Sequence, residues 1–288
     1  MQTAVYDASE RPITFDILSW IATVGAMAGG DLVHFIILAD RWREKTTKDR
    51  SMTPAQKMWR VRRILAQSCD LLPKSMTTVV TDPAVARHWR SADALRPDTF
   101  VATTAEQWKA GRDIFCLRPP ADALEAIESR FDGAVVLTIR QSDVVPEKNC
   151  RLASWLRLAG HARSKGHRVV LIPDTATVVN ASPMPSAFEW YPAAAQDVGL
   201  RAAIYSRARV CMGMGAGPMH ACQYMPGMRY AFFLRHRKLA SSSQFRSFEK
   251  VWGVKWGEQL PFMTDGQILD YRPDDEDALI ETFDKVVT

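Results

Sequence analysis

Apolar residues in the second half of the chain form short continuous runs that are separated by segments of helical periodicity. Continuous apolar runs of four to six residues are typical of parallel strands that are buried on both faces. The segments 150–165 and 196–208 instead repeat apolar residues at helical spacing. This alternation predicts a doubly wound parallel sheet. Four runs rich in β-branched or aromatic residues are its predicted strands: 134–139, 168–172, 209–212 and 229–234.

The first half follows a similar plan with weaker signals. Pro119-Pro120 and the amphipathic stretch after them indicate a connection between domains, because prolines interrupt regular structure. We therefore predict an α/β protein of two Rossmann-like domains with parallel doubly wound sheets, at residues 1–130 and 131–288. The elements expected in the first domain are a helix, a strand, a basic helix, a strand and a short helix, at 17–30, 32–38, 54–65, 76–81 and 83–89.

The composition is that of a folded protein, and it mainly serves to exclude other classes of protein. The 288 residues are 47% hydrophobic and 24% charged, and this length favours two domains. The five cysteines contain no Cys-x-x-Cys pair, which argues against a disulfide framework or zinc cluster and for a reducing compartment. The N-terminus lacks the pattern of a secretory signal, and the apolar stretch 17–30 is too short to cross a bilayer. We expect a soluble cytoplasmic protein.

One region of the chain is strongly basic, although the net charge of +5 is mild. Residues 41–63 contain nine lysines and arginines and only two acidic residues. Such a run is either a solvated helix face or an anion-binding surface, and the inner face of an anionic membrane is one surface that it would contact. Nucleic acid is disfavoured because no known binding motif accompanies the run.

A glycine-rich turn that follows the strand 209–212 is the strongest local motif. Ligands of such sheets bind at the carboxyl ends of the strands, and glycines let backbone N–H groups approach an anion closely. A helix beginning near Pro218 would add the attraction of its positive end. The spacing matches neither a Walker A loop nor a full dinucleotide fingerprint. A tight turn that needs glycine for packing alone is the alternative. The candidate binding residues here are Gly213, Gly215, Ala216, Gly217 and Met219.

The segment Gly217-Pro-Met-His220-Ala221 resembles a motif of heptosyltransferase-type GT-B glycosyltransferases. In those enzymes a small residue followed by Gly-Pro-Met-His opens a helix at the diphosphate of the sugar donor. The resemblance implies that N–H groups near Ala216 and Gly217 face the donor phosphates, and it makes His220 a candidate catalytic residue. Packing on the helix face is the alternative role of His220. Gly215 and Ala216 stand where those enzymes usually have an Asp and a Ser or Thr.

A second resemblance lies at Thr138-Ile-Arg140-Gln-Ser142-Asp143. The segment is similar to the strand-end His-x-Arg loop of fucosyltransferase-like GT-B proteins, with Thr138 in the place of the His. The resemblance implies that Arg140 meets a nucleotide-sugar diphosphate, for which a planar guanidinium is well suited. Lys148 would add positive charge nearby. A structural ion pair of Arg140 with Asp143 or Asp174 is the alternative.

Asp16 stands directly before the first predicted helix. Its position resembles the Gly-Asp-hydrophobic start of the first helix in heptosyltransferases, where the Asp is a candidate base, although Phe15 replaces the glycine here. The resemblance implies that Asp16 deprotonates an acceptor hydroxyl. A plain helix cap is the alternative.

The loop 173–192 holds the expected contacts with a nucleoside. Asp174 or Glu189 would hydrogen-bond a ribose hydroxyl, and Trp190 or Tyr191 would stack on a base. These roles complete a hypothesis of a metal-independent, cofactor-free glycosyltransferase that takes a nucleotide-diphosphate sugar donor and a glycan or glycolipid acceptor. The alternative is a non-catalytic nucleotide- or sugar-phosphate-binding protein of the same fold. An NAD-dependent enzyme is disfavoured because the glycine motif follows the third strand of its domain.

Overall fold

The computed structural model describes residues 1–45, 50–97, 100–142, 146–215, 217–234, 254–255 and 257–288. The chain divides into an N-terminal unit, Met1–Pro120 with Asp197–Gly199, and a C-terminal unit, Ala121–Gln196 with Leu200–Thr288. Each unit combines helices with a parallel sheet, which confirms the predicted α/β fold class. The division after Pro120 precedes the boundary that we expected at residue 130.

The sheet of the N-terminal unit has three parallel strands in the order β1-β2-β3. Leu95 adds a short parallel bridge to Ala4 on the other side of β1. The strand order therefore reverses at β1, and the carboxyl end of that strand is Asp7. The elements are β1 Gln2–Asp7, α1 Ile17–Ala28, β2 Val33–Leu38, α2 Pro54–Arg60, a π-helical segment Val61–Ala66, α3 Gln67–Cys69, β3 Ser75–Val80, α4 Pro83–Ser91 and α5 Phe100–Lys109.

Helix α1 is buried almost all round, as its apolar sequence predicts. The ring of Trp20 packs edge-on against Tyr6 at 5.2 Å between centroids and tilted against Phe35 at 5.6 Å. Gly25 is required here by close packing, because a Cβ at this position would lie 2.6 Å from Cys116 Sγ. The helix ends at Gly29, whose φ of 61° is the left-handed conformation that favours glycine.

The basic segment 54–65 differs from the single α-helix that we predicted. A capping box begins α2, with Thr53 N donating to Gln56 Oε1 at 2.8 Å and Gln56 N donating to Thr53 Oγ1 at 3.2 Å. After Arg60 the chain widens into the π-helical segment, which still buries Val61, Ile64 and Leu65. The predicted apolar residues are thus buried in the core as expected, but a π-helix rather than an α-helix presents them.

The sheet of the C-terminal unit has six parallel strands in the order β6-β5-β4-β7-β8-β9. The chain builds outward from β4 in one direction and from β7 in the other, so the carboxyl ends of these two neighbours form a topological switch point. The elements are α6 Ala121–Ile127, β4 Val135–Thr138, a 3-10 turn Pro146–Lys148, α7 Leu152–Ser164, β5 Val169–Ile172, α8 Thr175–Val179, β6 Glu189–Trp190, α9 Ala193–Gln196, α10 Val198–Arg207, β7 Val210–Met214, a 3-10 turn Gly217–Met219, α11 His220–Tyr224, β8 Tyr230–Phe233, β9 Gln267–Asp270 and α12 Glu276–Val287.

Helix α12 packs on this sheet through its apolar face. Leu279, Phe283 and Val286 are fully buried in the core that α7 also covers. Asp275 caps the helix by accepting a hydrogen bond from Ala278 N at 3.1 Å. Strands β6 and β9, which are short, were not predicted. None of the helices in the described part of the chain is both long and apolar enough to span a membrane.

Candidate functional site

The switch point of the C-terminal sheet brings together the two segments that the sequence singled out. Strand β4 pairs with β7, with Thr138 in register with Gly213. Arg140 follows β4, and Gly215 follows Met214 at the end of β7. Thr138 is buried, and its hydroxyl lies 2.7 Å from the hydroxyl of Tyr205. The residue that stands in place of the family's His is therefore part of the core.

The guanidinium of Arg140 makes no hydrogen bond or ion pair with any residue that the structure describes, and its Nε is buried. Asp174, one expected partner, instead caps α8 by accepting from Ala176 N at 3.0 Å, and its other oxygen accepts from Gln141 N at 3.3 Å. The other expected partner, Asp143, lies outside the described residues. A buried, cationic donor without a partner is costly, which makes Arg140 the best candidate here for binding an anion.

The loop after β4 is held by side chains that bond to its backbone. Ser142 N donates to Asn149 Oδ1 at 2.7 Å, and Asn149 Nδ2 donates back to Ser142 O at 3.1 Å. Cys150 N donates to Arg140 O at 3.1 Å. These bonds fix the backbone on both sides of Arg140, so a ligand would meet a preorganised loop. Lys148 is exposed in the adjacent 3-10 turn.

The N-terminus of α7 is closed to a ligand, although it lies after this loop. The buried carboxylate of Asp274 accepts from Arg151 N at 2.7 Å and from the indole N–H of Trp155 at 3.0 Å. An anion supplied by the protein itself thus occupies the positive end of the helix.

Gly213 at the end of β7 and Gly215 after it are closely surrounded by other side chains. A Cβ on Gly215 would lie 2.2 Å from Leu234 Cδ2, and one on Gly213 would lie 3.1 Å from the side chain of Met219 and 3.3 Å from Thr138 Cβ. Met219, an expected substrate contact, is fully buried, so its side chain has a packing role. The 3-10 turn that contains Gly217 leads into an α-helix of only five residues, which limits the helix dipole that we expected here. Ala216 lies outside the described residues.

His220 is half-buried at the start of α11 and is oriented by a neighbour on the same helix. Its Nδ1 lies 2.6 Å from Oε1 of the buried Gln223. An amide oxygen only accepts hydrogen bonds, so Nδ1 carries the proton and the lone pair of the neutral ring is on Nε2. Nε2 has no hydrogen-bond partner among the described residues. The ring is therefore set to accept a hydrogen bond at Nε2.

A cavity of about 210 Å³ lies in the C-terminal unit beyond the ends of β4 and β5. Its wall is both polar and apolar and contains one large aromatic ring, that of Trp190, whose indole N–H donates to Pro185 O at 2.9 Å. Ile139 and Gln141 line it, whereas Arg140 between them does not. The remaining lining residues are Asn149, Leu152, Pro173, Ala176, Thr177, Asn180, Ser182, Pro183, Met184 and Pro185.

Glu189, the other candidate for a ribose contact, already has an ion-pair partner. Glu189 pairs with Val170, near the amino end of β5, and its carboxylate accepts from Arg168 Nη2 at 2.6 Å and Nε at 3.0 Å. Arg168 precedes β5, so this pair lies at the edge of the sheet opposite the switch point. The ring of Tyr191 packs edge-on against Phe131 at 5.1 Å between centroids, which makes it part of the same opposite edge.

In the N-terminal unit, Asp16 does not act as a helix cap. Its Oδ2 accepts from the hydroxyl of Thr14 at 2.9 Å, and it makes no side-chain capping bond to α1. The hydroxyl of the buried Tyr6 donates to Pro12 O at 2.5 Å. Burial, and next the nearby Asp16 carboxylate, raise the pKa of Tyr6. Oδ1 of the half-buried Asp16 carboxylate has no hydrogen-bond partner among the described residues.

Sequence reasoning missed an ion-pair network formed by Asp7, Asp40 and Arg90. Arg90 Nε donates to Asp7 Oδ2 at 2.7 Å, and its two terminal nitrogens donate to Asp40 at 3.0 and 2.6 Å. Burial alone would raise the pKa of Asp7, but the bonds from Arg90 and Ser9 lower it, and Arg90 likewise lowers the pKa of Asp40. Asp7 ends β1 and Asp40 follows β2, a pattern that would have marked the two carboxylates but not their contact with Arg90.

We expect Arg90→Gln to destabilise the N-terminal unit by about 3 kcal/mol at pH 7, because it leaves two partly buried carboxylates without their cation. Both carboxylates have lowered pKa values in the folded protein. Their stabilising contribution is therefore complete above the ordinary Asp pKa of about 4 and is lost as the pH falls below it. Melting temperatures at pH 7 and pH 3.5 measure this effect. Arg87→Gln, an exposed position on the same helix, is the control. A deficit in Arg90→Gln that does not shrink in acid would contradict the assignment.

The fold and these residues define the class of the protein: a two-unit α/β protein whose second sheet has, at its switch point, an arginine without a partner among the described residues. No protein-family model matches the sequence, and no curated protein is significantly similar to it. Among solved structures, the chain is similar to the E. coli heptosyltransferase WaaC with ADP, at 10% identity and a TM-score of 0.47 over the whole of both chains. It is also similar to the same enzyme with ADP-2-deoxy-2-fluoro heptose, at 9% identity and a TM-score of 0.44, over 100% of this chain and 99% of the other.

Proposed function

We propose that the chain is a glycosyltransferase that moves a sugar from a nucleotide-diphosphate donor to a glycan or glycolipid acceptor without a metal ion. This proposal rests on a single observation. The Nε atom of Arg140, at the switch point of a parallel sheet, is buried and has no hydrogen-bond partner among the described residues. Ligands of such sheets bind at this point, and a guanidinium recognises phosphate oxygens with two parallel N–H donors.

The surroundings of Arg140 suit the remaining parts of a nucleotide. The cavity beside the same loop offers the Trp190 ring, on which a nucleobase would stack, and polar side chains such as Asn149 and Asn180 that would hydrogen-bond its edge. Asp174 lies between the ends of β4 and β5, and we assign it to a ribose hydroxyl although two backbone N–H groups already bond to it. Ser142, Asp143 and Lys148 would border the phosphates. Backbone N–H groups near Ala216 and Gly217 would complete the anion site, whereas Gly215 N already donates to Phe233 O at 2.9 Å and Gly213 lies within β7.

In the proposed reaction, Asp16 takes the proton of an acceptor hydroxyl while that oxygen attacks the anomeric carbon of the donor sugar. The bond from this carbon to the diphosphate oxygen breaks, and the electron pair leaves with the nucleoside diphosphate. Arg140 stabilises the negative charge that develops on this leaving group, a task that a divalent cation performs elsewhere. His220 would accept a hydrogen bond from a sugar hydroxyl at Nε2. The only Asp-x-Asp sequence, Asp275-Glu-Asp277, begins α12, where Asp275 is a helix cap.

The basic face around α2 would bring the protein to acceptors at the inner face of an anionic membrane. Arg62 and Arg63 are exposed on the π-helical segment, while its apolar residues face the core. Each basic residue near an anionic membrane surface contributes on the order of 1 kcal/mol to the free energy of membrane binding. Sedimentation with vesicles that contain phosphatidylserine should exceed sedimentation with neutral vesicles, and equal values would remove membrane contact from the proposal.

A thermal-shift screen with UDP, GDP, ADP and their sugar conjugates tests the proposal. A ligand that binds only the folded state raises the melting temperature. At a concentration of one hundred times its Kd, it increases the free energy of unfolding by about 2.7 kcal/mol. We expect one nucleoside diphosphate and its sugar conjugates to stabilise the protein more than NAD or free phosphate does. If none of these nucleotides stabilises it, the glycosyltransferase proposal fails.

The second candidate function is a nucleotide- or sugar-phosphate-binding protein without catalytic activity. It is favoured by Gly215 and Ala216, which provide no polar side chain where the resembled enzymes have two. Turnover separates the two candidates: tight binding of a nucleotide sugar without transfer to any of a broad set of acceptors, and without its hydrolysis, would support the second.

A further inference from the structure

Strand β3 forms the outer edge of the N-terminal sheet. It pairs with β2, and no strand in the described part of the chain pairs with its other side. Thr78 is exposed, and Met76 retains 48% of its accessible surface. Proteins usually protect such edges with charged residues, prolines or bulges. The sequence of β3, Ser-Met-Thr-Thr-Val-Val, contains no charge and no proline.

The backbone bonds to β2 show which groups β3 presents at its free edge. Val33 N donates to Lys74 O at 3.0 Å, and Ala39 N donates to Val80 O at 2.8 Å. The N–H and C=O groups of one strand residue point to the same side, so the even-numbered residues of β3 bond toward β2. Ser75, Thr77 and Val79 therefore present their donors and acceptors outward, where another strand would bond to them.

We propose that this edge pairs with the same edge of a second copy of the chain, in antiparallel orientation about a two-fold axis. Hydrogen bonding requires odd-numbered residues to face odd-numbered residues of the second copy. One such register places Thr78 on the axis, opposite its own copy. It then sets Thr77 opposite Val79 and Ser75 opposite Thr81, and the two sheets join into one of six strands.

Charge complementarity at the ends of the strand selects this register. With Thr78 on the axis, Lys74 of each chain would lie near Asp82 of the other, so two opposite-charge pairs would close the interface. Lys74 directly precedes β3 with a φ of 56°, and its Nζ would exchange the 3.5 Å bond that it donates to Gly30 O for this pair. Asp82 uses only Oδ1 to cap α4, with Ala84 N at 2.7 Å and Val85 N at 3.0 Å. The neighbouring register, with Thr77 on the axis, would place each Lys74 opposite the apolar Val80. A two-fold interface repeats each contact, so it needs only one such self-complementary strand.

Sedimentation equilibrium of the full chain tests the proposal. We expect a mass near twice 32.4 kDa, and a dimer Kd raised at least about tenfold in Lys74→Glu, which places two acidic groups together at each end. Met76→Lys should act in the same direction because lysine on an edge strand opposes pairing. Leu32→Lys, which changes another exposed apolar residue outside the strands, is the matched control and should leave the dimer intact. Unchanged circular dichroism and melting temperature would show that the variants remain folded.

A cysteine cross-link tests the register itself. Residues opposite each other at a non-hydrogen-bonded antiparallel position have Cα atoms about 4.5 Å apart, close enough for a disulfide. Thr78→Cys treated with diamide, which accepts the two electrons and two protons of the thiols, should give a covalent dimer on a non-reducing gel. Thr77→Cys, which would face Val79, is the control and should give much less. A monomeric wild-type chain, or a dimer that ignores all of these changes, would overturn the proposal. Neither result depends on the glycosyltransferase function.

Discussion

Arg140→Ala is expected to weaken the binding of a nucleoside diphosphate at least about 100-fold, which corresponds to about 2.7 kcal/mol. Hydrogen bonds between charged groups contribute about 1.5–3 kcal/mol each, and the guanidinium would donate two to the diphosphate. The substitution should not lower the stability of the free protein, because Arg140 has no partner among the described residues and its Nε is already buried without one. Loss of binding without loss of stability distinguishes this site from a structural ion pair.

The measurement is isothermal titration with the nucleotide that gives the largest thermal shift, together with melting temperatures of the free variants. Arg157→Ala is a matched control, because Arg157 lies on α7 of the same unit and pairs on the surface with Glu276 at 2.5 Å. Arg140→Lys retains the charge without the planar fork and should recover only part of the affinity. Unchanged nucleotide affinity in Arg140→Ala would remove the proposed anion site.

Asp16→Asn is expected to reduce the rate of sugar transfer by roughly 100-fold to 10,000-fold while the donor KM stays within a factor of about two. The amide has the shape of the carboxylate and still accepts the hydrogen bond of the Thr14 hydroxyl, but it cannot take a proton from the acceptor. Because the carboxylate makes no capping bond, α1 should keep its stability.

Steady-state release of the nucleoside diphosphate, in the presence of the acceptor that supports turnover, gives kcat and KM for this test. Asp31→Asn, an exposed aspartate beyond the other end of α1, serves as the control and should behave as the wild type. A variant at Asp16 that keeps the wild-type kcat would exclude this carboxylate as the base, while the anion site at Arg140 would stand.

Individual residues show which features of this protein the pattern of neighbouring residues in the sequence can predict. Arg140 was found because a buried apolar run ends directly before it, which is information contained within six neighbouring positions. The place of Glu189 in the sheet, by contrast, could not be inferred from its neighbours in the sequence. Its distance along the chain from β5 does not reveal that the two-residue strand β6 starts level with Val170, which sends the carboxylate to Arg168 at the opposite edge.

The network of Asp7, Asp40 and Arg90 could not be predicted from the sequence, because its members are separated by tens of positions and meet only where β1 and β2 end side by side. The glycines after β7 show a related limit. Their clustering suggested backbone contacts with an anion, whereas the neighbours that require glycine at these positions, Leu234 and Met219, come from other elements.

The amino-acid sequence by itself determined the alternation of strands and helices, the parallel character of both sheets and the position of the arginine after β4. These properties follow from periodicity and burial preference over a few residues at a time. Only the tertiary structure decided which carboxylates pair with an arginine and which strand edge has no neighbouring strand among the described residues. It also decided that Arg140 has no partner among those residues. Such properties depend on which distant groups pack together, because hydrogen bonds and charges are satisfied across elements that strand order brings into contact.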